Sequence, residues 1–261
     1  MGKVIAIANP KGGVGKTTTT MNLGASLAFE GKKVLIIDLD EQANATIGLG
    51  FNRENITLDS LDFIINPTVD SSIILKTDVN NLYIVPSSVR LSKLEEVLVT
   101  TTNKKRVLAQ KVAMIKDDYD FILIDCPPSL GTIVDNALCA SDSVIIPVEC
   151  AFYAYDALTQ MVKKINEVQK TKDIKIEGIL LTKLDNRNTL GFKVVDKVRY
   201  LFPNKTFNTV IGTSSHIQEA PMHGKSVISF SPNSRGSKEY RELAKEILAN
   251  NDGGKDVSTG V

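Results

Sequence analysis

The stretch VIAIANPKGGVGKTTTT, residues 4–20, decides the fold of this chain. An apolar run leads into a glycine-rich turn, and a predicted helix over 17–29 follows, which Gly31 can end. Glycines let backbone N–H groups point into such a turn, and the helix N-terminus attracts anions. In Gly15-Lys16-Thr17 the lysine is placed to reach the β- and γ-phosphates of a nucleotide, and the threonine hydroxyl to bind Mg²⁺. The segment predicts a phosphate-binding loop, whose candidate contacts are Lys11, Gly12, Gly13, Val14, Gly15, Lys16, Thr17 and Thr18.

The rest of the chain repeats the alternation of apolar runs and helical stretches. Further strands are predicted at 34–37, 82–86, 121–124, 144–147, 176–181 and 209–211, and helices at 103–116, 132–140, 154–170, 190–202 and 236–249. The runs are continuously apolar, which is typical of strands buried on both faces of a parallel sheet. The pattern predicts an α/β fold with a doubly wound, mostly parallel sheet and helices on both faces. We expect one P-loop domain over 1–250 and a flexible polar tail over 251–261.

Composition excludes several classes of protein. The 261 residues are 43% apolar and 23% charged, as in ordinary globular proteins rather than disordered or fibrous ones. No run approaches the roughly 20 apolar residues of a membrane-spanning helix, and no signal peptide opens the chain, so we expect a cytoplasmic protein. The three cysteines, Cys126, Cys139 and Cys150, have no metal-like spacing and are expected to be reduced structural thiols.

Three aspartates follow predicted strands and are the candidate acidic groups of the site. Asp38 and Asp40 follow the second strand, and Asp125 follows the fourth. Ligands of doubly wound sheets bind beyond the carboxyl ends of the strands. Carboxylates at that edge, beside a phosphate loop, suit Mg²⁺ and an attacking water molecule.

The loop departs from the standard phosphate-binding pattern at its start. Pro10 stands where the first glycine is usual, and a second lysine, Lys11, opens the loop. Because Lys16 already serves the nucleotide of its own subunit, Lys11 is free to reach a nucleotide on a facing subunit, which would make ATP the bridge of a dimer. The motif resembles the deviant Walker A sequence of the ParA/MinD ATPases. That resemblance implies ATP and Mg²⁺ as cofactors, with Lys11 crossing an ATP-dependent homodimer.

The same resemblance implies roles for the other site residues. Lys11, Lys16 and Asp40 are the expected catalytic residues, with Asp40 similar to the switch aspartate that positions water. Asp125 resembles the Walker B aspartate, and Thr17, Asp38 and Asp125 form the expected metal set. No arginine is evident as a built-in finger, so we expect slow hydrolysis that a partner stimulates.

Further stretches resemble the ParA/Soj branch of that superfamily. They are Gly48-Leu49-Gly50, Ser143–Cys150, Glu219–Lys225 and Ser231–Ala244. This branch implies a DNA-partition ATPase with a ParB-like centromere-binding partner, and it places Pro221, with Met222 beside it, against the adenine. Larger plasmid relatives carry a helix-turn-helix before the first strand; because strand one begins at Val4 here, operator-specific repression is not expected. The end of the chain has no apolar stripe for a membrane surface, so no membrane partner is expected.

The charge distribution agrees with a partner that is a polyanion. Residues 161–250 hold 16 Lys/Arg and 9 Asp/Glu, although the whole chain carries only +1. The family binds duplex DNA non-specifically, so we expect nucleoid association in the ATP state. Two arginines that many relatives carry in the loop 212–218 are absent. The candidate DNA contacts are Lys193, Lys197, Arg199, Lys205, Lys225, Arg235 and Lys238.

Two other functions remain open at this point. One is a MinD-like positioning ATPase that acts on a membrane or protein cargo. The other is a metabolic P-loop enzyme with a small-molecule substrate, although no motif for a substrate pocket is evident.

Overall fold

A computed structural model describes residues 2–68, 71–151 and 154–252 of the chain. Eight strands form one sheet within these residues, in the order β3-β4-β2-β5-β1-β6-β7-β8. Their bounds are β1 (Lys3–Ile7), β2 (Val34–Asp38), β3 (Leu75–Lys76), β4 (Leu82–Val85), β5 (Phe121–Asp125), β6 (Ser143–Glu149), β7 (Lys175–Leu184) and β8 (Thr206–Gly212).

Every pairing in the sheet is parallel except that of β3 with β4. The central strands β1, β2 and β5 are buried on both faces, which explains why they read as continuous apolar runs. The predicted doubly wound, mostly parallel sheet is therefore confirmed. The edge strand β3 was not predicted, because two residues, Leu75 and Lys76, are too short for a recognisable pattern.

The described residues form eleven α-helices, of which the last three follow the final strand. They are α1 (Lys16–Phe29), α2 (Asn44–Gly48), α3 (Ser60–Ile65), α4 (Leu94–Val97), α5 (Val107–Ile115), α6 (Thr132–Ala140), α7 (Ala154–Gln169), α8 (Thr189–Leu201), α9 (Ser215–Glu219), α10 (Val227–Phe230) and α11 (Arg235–Asp252). The helix predicted over 103–116 begins only at Val107; Asn103 before it has a left-handed φ of 59°. Helix α11 covers the first two residues of the predicted tail, and 253–261 lie outside the described residues.

Two apolar clusters cover the two faces of the sheet. Val4 and Ala6 of β1 pack with α3 to α8 on one face, whereas Ile5 and Ile7 pack with α1, α10 and α11 on the other. This alternation follows from the two-residue period of a strand. All three cysteines are buried and free, as predicted. In the part of the chain that is described, no helix combines the length and the apolar character needed to cross a bilayer.

The register of the parallel strands brings distant polar residues to one edge of the sheet. Asp38 at the end of β2 lies beside Asp125 at the end of β5. Glu149 at the end of β6 lies beside Thr182 of β7. The loop after β1 crosses this edge between the two pairs, because β1 lies between β5 and β6. The candidate site is built at this edge.

Candidate functional site

A cavity of about 870 Å³ opens at the carboxyl edge of the sheet. The phosphate loop and the first turn of α1 form one wall, and the segment after β2 forms another. The loop after β5 and the segment around Pro221 complete it. Its lining includes Gly12, Gly13, Gly15, Lys16, Thr17, Thr18, Met21, Asp40, Glu41, Gln42, Asn44, Pro127, Pro128, Ser129, Lys183 and Pro221.

The phosphate loop has the backbone geometry that an anion site requires. Gly13 and Gly15 have φ values of 75° and 92°, in the left-handed region that side chains other than glycine rarely adopt. Gly15 is also the N-cap of α1, so the free N–H groups of a 14-residue helix open toward the cavity. The sequence predicts a loop followed directly by a helix, and the structure confirms this arrangement.

Lys16 is the buried cation of the cavity. It is 6% exposed, and its Nζ donates to the carbonyl oxygen of Lys11 at 3.1 Å. Burial lowers the pKa of Lys16, while the charges of Asp125 and Asp40 oppose that shift. A desolvated ammonium whose one acceptor among the described residues is a neutral carbonyl is well suited to bind phosphate oxygens.

Asp125 has one carboxylate oxygen without a partner among the described residues. It is fully buried; its Oδ1 accepts a hydrogen bond from Thr20 Oγ1 at 2.9 Å, whereas Oδ2 has no partner among the described residues. Burial, and then the neighbouring charge of Asp38, raise the pKa of Asp125. A buried carboxylate oxygen without a donor is costly, and a hydrated Mg²⁺ would satisfy it. The residues present therefore fit the cation.

The described residues contain no cluster of three or more His, Cys, Asp or Glu side chains arranged to hold a metal. Mg²⁺ in nucleotide sites usually takes most of its ligands from phosphates and water, with one or two from protein. Thr17, which lines the cavity, and the buried Asp125 provide the one or two protein ligands of such a site.

Asp38 is occupied with holding the segment that carries Asp40. Its Oδ1 accepts the backbone N–H of Asp40, and its Oδ2 accepts both the N–H and the hydroxyl of Thr46, at 2.7 to 3.1 Å. Burial raises the pKa of Asp38, and the bonds from Thr46 oppose the rise. Asp40 lines the cavity, and its Oδ1 accepts the N–H of Gln42 at 2.9 Å. Asp38 thus orients the Asp40 segment, and its role as a metal ligand stays a prediction.

Lys11 does not line the cavity that Lys16 serves. Its backbone N–H donates to Asn9 Oδ1 at 2.9 Å, and Asn9 Nδ2 donates to the carbonyl of Pro147 at 2.7 Å. Its ammonium lies 3.0 Å from Oε2 of Glu149. The two lysines of the loop therefore face different surroundings.

Several residues that organise the site were not predicted from the sequence. They are Asn9, Thr20, Thr46, Glu149 and Thr182. Thr20 had a readable signal, since it lies one helical turn after Thr17 and so shares its face. Asn9, Glu149 and Thr182 had none, because a side-chain type alone does not reveal a partner more than a hundred residues away.

The two residues predicted to lie against the adenine, Pro221 and Met222, have different surroundings in the structure. Pro221 lines the main cavity and also a neighbouring one of about 370 Å³, whereas Met222 lines neither and is 83% exposed. The smaller cavity also has Gly15, Thr182 and Tyr240 in its lining. His223 stacks on Phe230, with ring centres 4.9 Å apart.

Comparison with known proteins identifies the family. A family model described as an AAA domain matches residues 2–178. The Soj sporulation initiation inhibitor of Bacillus subtilis is 46% identical over 96% of this chain and 100% of its own length. The chain belongs to the Soj/ParA family of chromosome-partitioning ATPases. A chromosome-partitioning ATPase Soj from Treponema pallidum is 40% identical over 95% of this chain and 98% of its own.

The fold of this Soj/ParA chain extends beyond partition proteins. A cobyrinic acid a,c-diamide synthase from Mycobacterium smegmatis, solved with bound ADP and magnesium, is 29% identical. It superposes with a TM-score of 0.86 over 100% of both chains. The partition relatives are more similar in sequence, although the synthase has a comparable architecture.

The seven Lys and Arg side chains predicted to contact DNA are all exposed in this Soj/ParA chain. They differ in the intramolecular contacts that their charged groups make. Lys197 Nζ lies 4.4 Å from the centre of the Tyr155 ring, and Arg199 donates to the carbonyl of Asn208 at 3.0 Å. No hydrogen bond or ion pair within the described residues holds the side chains of Lys193, Lys205, Lys225 and Lys238.

Arg235 is the most constrained of the seven. Its Nε donates to Oε1 of Glu239 at 2.5 Å, and Oε2 of Glu239 accepts the N–H of Gly212 at 2.9 Å. Nη2 of the Arg235 guanidinium lies 2.7 Å from the position that a Cβ would occupy on Gly212. Arg235 therefore has a structural function that the free lysines do not share.

Proposed function

We propose that this chain is a Mg²⁺-dependent ATPase that partitions DNA. ATP brings two copies face to face, the dimer binds duplex DNA without sequence preference, and a ParB-like centromere-binding partner triggers hydrolysis. The observation that carries the proposal is the different placement of two lysines in one loop. Lys16 lines the nucleotide cavity, whereas Lys11 lies outside it and is available to the cavity of a second copy.

The chain's own residues supply the chemistry of hydrolysis. Lys16 and the N–H groups of the loop bind the phosphates, and Thr17 and Asp125 hold Mg²⁺. When bound, Mg²⁺ neutralises charge on the phosphate oxygens. Asp40 holds the attacking water at the side of the cavity opposite the loop. In this scheme Asp38 and Thr46 keep Asp40 in place through their shared hydrogen bonds.

A stimulating partner is consistent with the composition of the cavity. Among the described residues that line it there is no arginine. Phosphoryl transfer without an arginine finger is typically slow, and a finger supplied by another protein accelerates it by about 10³ to 10⁵. A slow intrinsic rate leaves time for the ATP dimer to remain on DNA.

Non-specific DNA binding is supported by four lysines whose side chains have no partner in the described part of the chain, Lys193, Lys205, Lys225 and Lys238. Phosphate contacts position a protein on duplex DNA but carry no sequence information. We infer that these lysines make such contacts and that the ATP dimer associates with the nucleoid. The dimer doubles the number of phosphate contacts, so ATP controls affinity for DNA.

The test is duplex DNA binding over a salt series, in ATP and in ADP, with Asp40→Ala to suppress turnover. Each lost phosphate contact lowers the slope of log affinity against log salt by about 0.9. Replacing the four lysines by alanine is therefore expected to lower the slope by about 3 to 4 per subunit. The control replaces two other exposed lysines, Lys76 and Lys104, which are outside the proposed set of contacts, and is expected to leave the slope unchanged.

Each outcome decides between specific functions. Binding in ATP only, with a steep salt dependence, supports DNA partition. Absence of DNA binding in both nucleotides refutes it, and liposomes with ATP then test a membrane cargo. An ATPase rate that rises with a small molecule, and not with DNA and partner, would indicate a metabolic enzyme.

A further inference from the structure

Both ends of Lys11 are tied to strand β6 of its own subunit. The backbone N–H is held by Asn9, which in turn bonds the carbonyl of Pro147 in β6. Two residues farther along β6, Glu149 Oε2 accepts the Lys11 ammonium at 3.0 Å. The side chains of this pair are 31% and 28% exposed, so solvent and a partner surface can both reach them.

The ion pair directs Lys11 away from the cavity of its own chain. Glu149 is the last residue of β6 and lies in register with Thr182, whose hydroxyl holds the opposite half of the loop at Val14. Two neighbouring strands on the same side of β1 therefore anchor the loop, β6 near its start and β7 near its end. Among these anchors only the Lys11–Glu149 pair joins two full charges.

We propose that Glu149 is a positioning residue that retains the Lys11 ammonium on its own subunit until a partner's triphosphate competes for it. The proposal rests on the proposed function, in which Lys11 crosses to the nucleotide of a second copy. Dimerisation then includes an exchange, in which each Lys11 leaves one carboxylate and joins several phosphate oxygens.

The exchange favours a partner that carries ATP. A half-exposed ion pair changes an equilibrium by up to about five-fold, so it is readily replaced. A triphosphate offers more negative charge and more acceptor oxygens than one carboxylate. A diphosphate offers fewer, so the same ion pair opposes association of ADP-bound copies more effectively. Glu149 thereby sharpens the difference between the two nucleotide states.

The first experiment measures the ion pair in the free chain. Lysines are acetylated with acetic anhydride in the absence of nucleotide, and the rate at Lys11 is compared by mass spectrometry with that at unpaired Lys193. Glu149→Gln keeps the shape of the side chain and removes its charge. We expect Lys11 to be acetylated about two- to five-fold faster in this variant, because the ammonium is no longer held. An unchanged rate overturns the proposal.

The second experiment measures dimerisation by analytical ultracentrifugation with a non-hydrolysable ATP analogue. Both copies of Lys11 are released in a dimer, so Glu149→Gln is expected to strengthen dimerisation by about 4- to 25-fold. Asp156→Asn is the matched control, since it removes one exposed acidic charge seven residues away that forms no ion pair among the described residues. We expect it to leave the dimerisation constant unchanged.

A double variant separates positioning from a general effect of charge. In the Lys11→Ala background, at a protein concentration raised until the weaker dimer is populated, Glu149→Gln is expected to have no further effect on dimerisation, because the two residues act through one contact. Weaker or unchanged dimerisation in Glu149→Gln, or an equal gain in Asp156→Asn, overturns the proposal. Failure of the wild-type chain to dimerise with the analogue refutes the proposed function instead, whereas the acetylation rates report on the ion pair alone.

Discussion

Thr182→Val tests whether β7 orients the phosphate loop. The Thr182 hydroxyl donates to the carbonyl of Val14 at 2.8 Å, across 168 residues of chain. Both residues are at most 2% exposed. Because the peptide between Val14 and Gly15 is planar, its carbonyl and its N–H point in opposite directions. A carbonyl held toward β7 therefore keeps the Gly15 N–H directed away from β7, on the side where we propose that phosphate binds.

The magnitude follows from the burial of this contact. Valine has nearly the shape of threonine but leaves the Val14 carbonyl without a donor, which costs about 1–3 kcal/mol of stability. Without this hydrogen bond the Val14–Gly15 peptide can rotate, and the Gly15 N–H then no longer points toward the proposed phosphate position. One hydrogen bond to a charged group is worth about 1.5 kcal/mol or more, so affinity for Mg-ADP is expected to fall about ten-fold or more.

Two measurements on the same variants check this reasoning. Urea unfolding without nucleotide gives the change in stability, and titration calorimetry with Mg-ADP gives the change in affinity. Thr182→Ser keeps the hydroxyl and loses one methyl group, so it is expected to lose about 0.8 kcal/mol of stability and to bind ADP within two-fold of wild type. If Thr182→Val is destabilised yet binds ADP normally, or if serine loses as much affinity as valine, the bond does not orient the loop.

Three further predictions concern the site and the segment beside it. Lys16→Ala is expected to weaken ADP binding by about 30- to 1000-fold in calorimetry, because it removes the buried partner of the phosphates; near wild-type affinity would contradict the assignment. Asp40→Ala is expected to bind ATP normally, to hydrolyse it about 10² to 10⁴ times more slowly and to remain dimeric, and a monomer in ATP would refute its role. Gly224→Ala places a Cβ 2.6 Å from Cα of Gly50 at a φ of 65°, and should cost about 2–4 kcal/mol in urea unfolding. Gly31→Ala, at a φ of 82° with open space around it, should cost only about 1–2 kcal/mol, and equal losses would exclude the contact as the cause.

The parts of the structure that depend on neighbours in the chain were predictable from the sequence. The phosphate loop is one contiguous segment, so its glycines, Lys16 and the start of the helix that follows can all be recognised in residues 4–20. Continuous apolar runs predicted the central strands, because strands buried on both faces need no polar positions. The short elements β3, α2, α9 and α10 were not predicted, since two to five residues are too few to show a period.

The tertiary structure alone decided how the loop is held and where its two lysines face. Parallel strands that are far apart in sequence end at one edge, and their register pairs Asp38 with Asp125 and Glu149 with Thr182. No local pattern encodes these pairings, because a parallel connection passes through a helix of its own before the next strand begins. The residue types of the site are therefore a property of the sequence. Which carboxylate receives Lys11, and which hydroxyl orients the loop, follows from the register of β6 and β7.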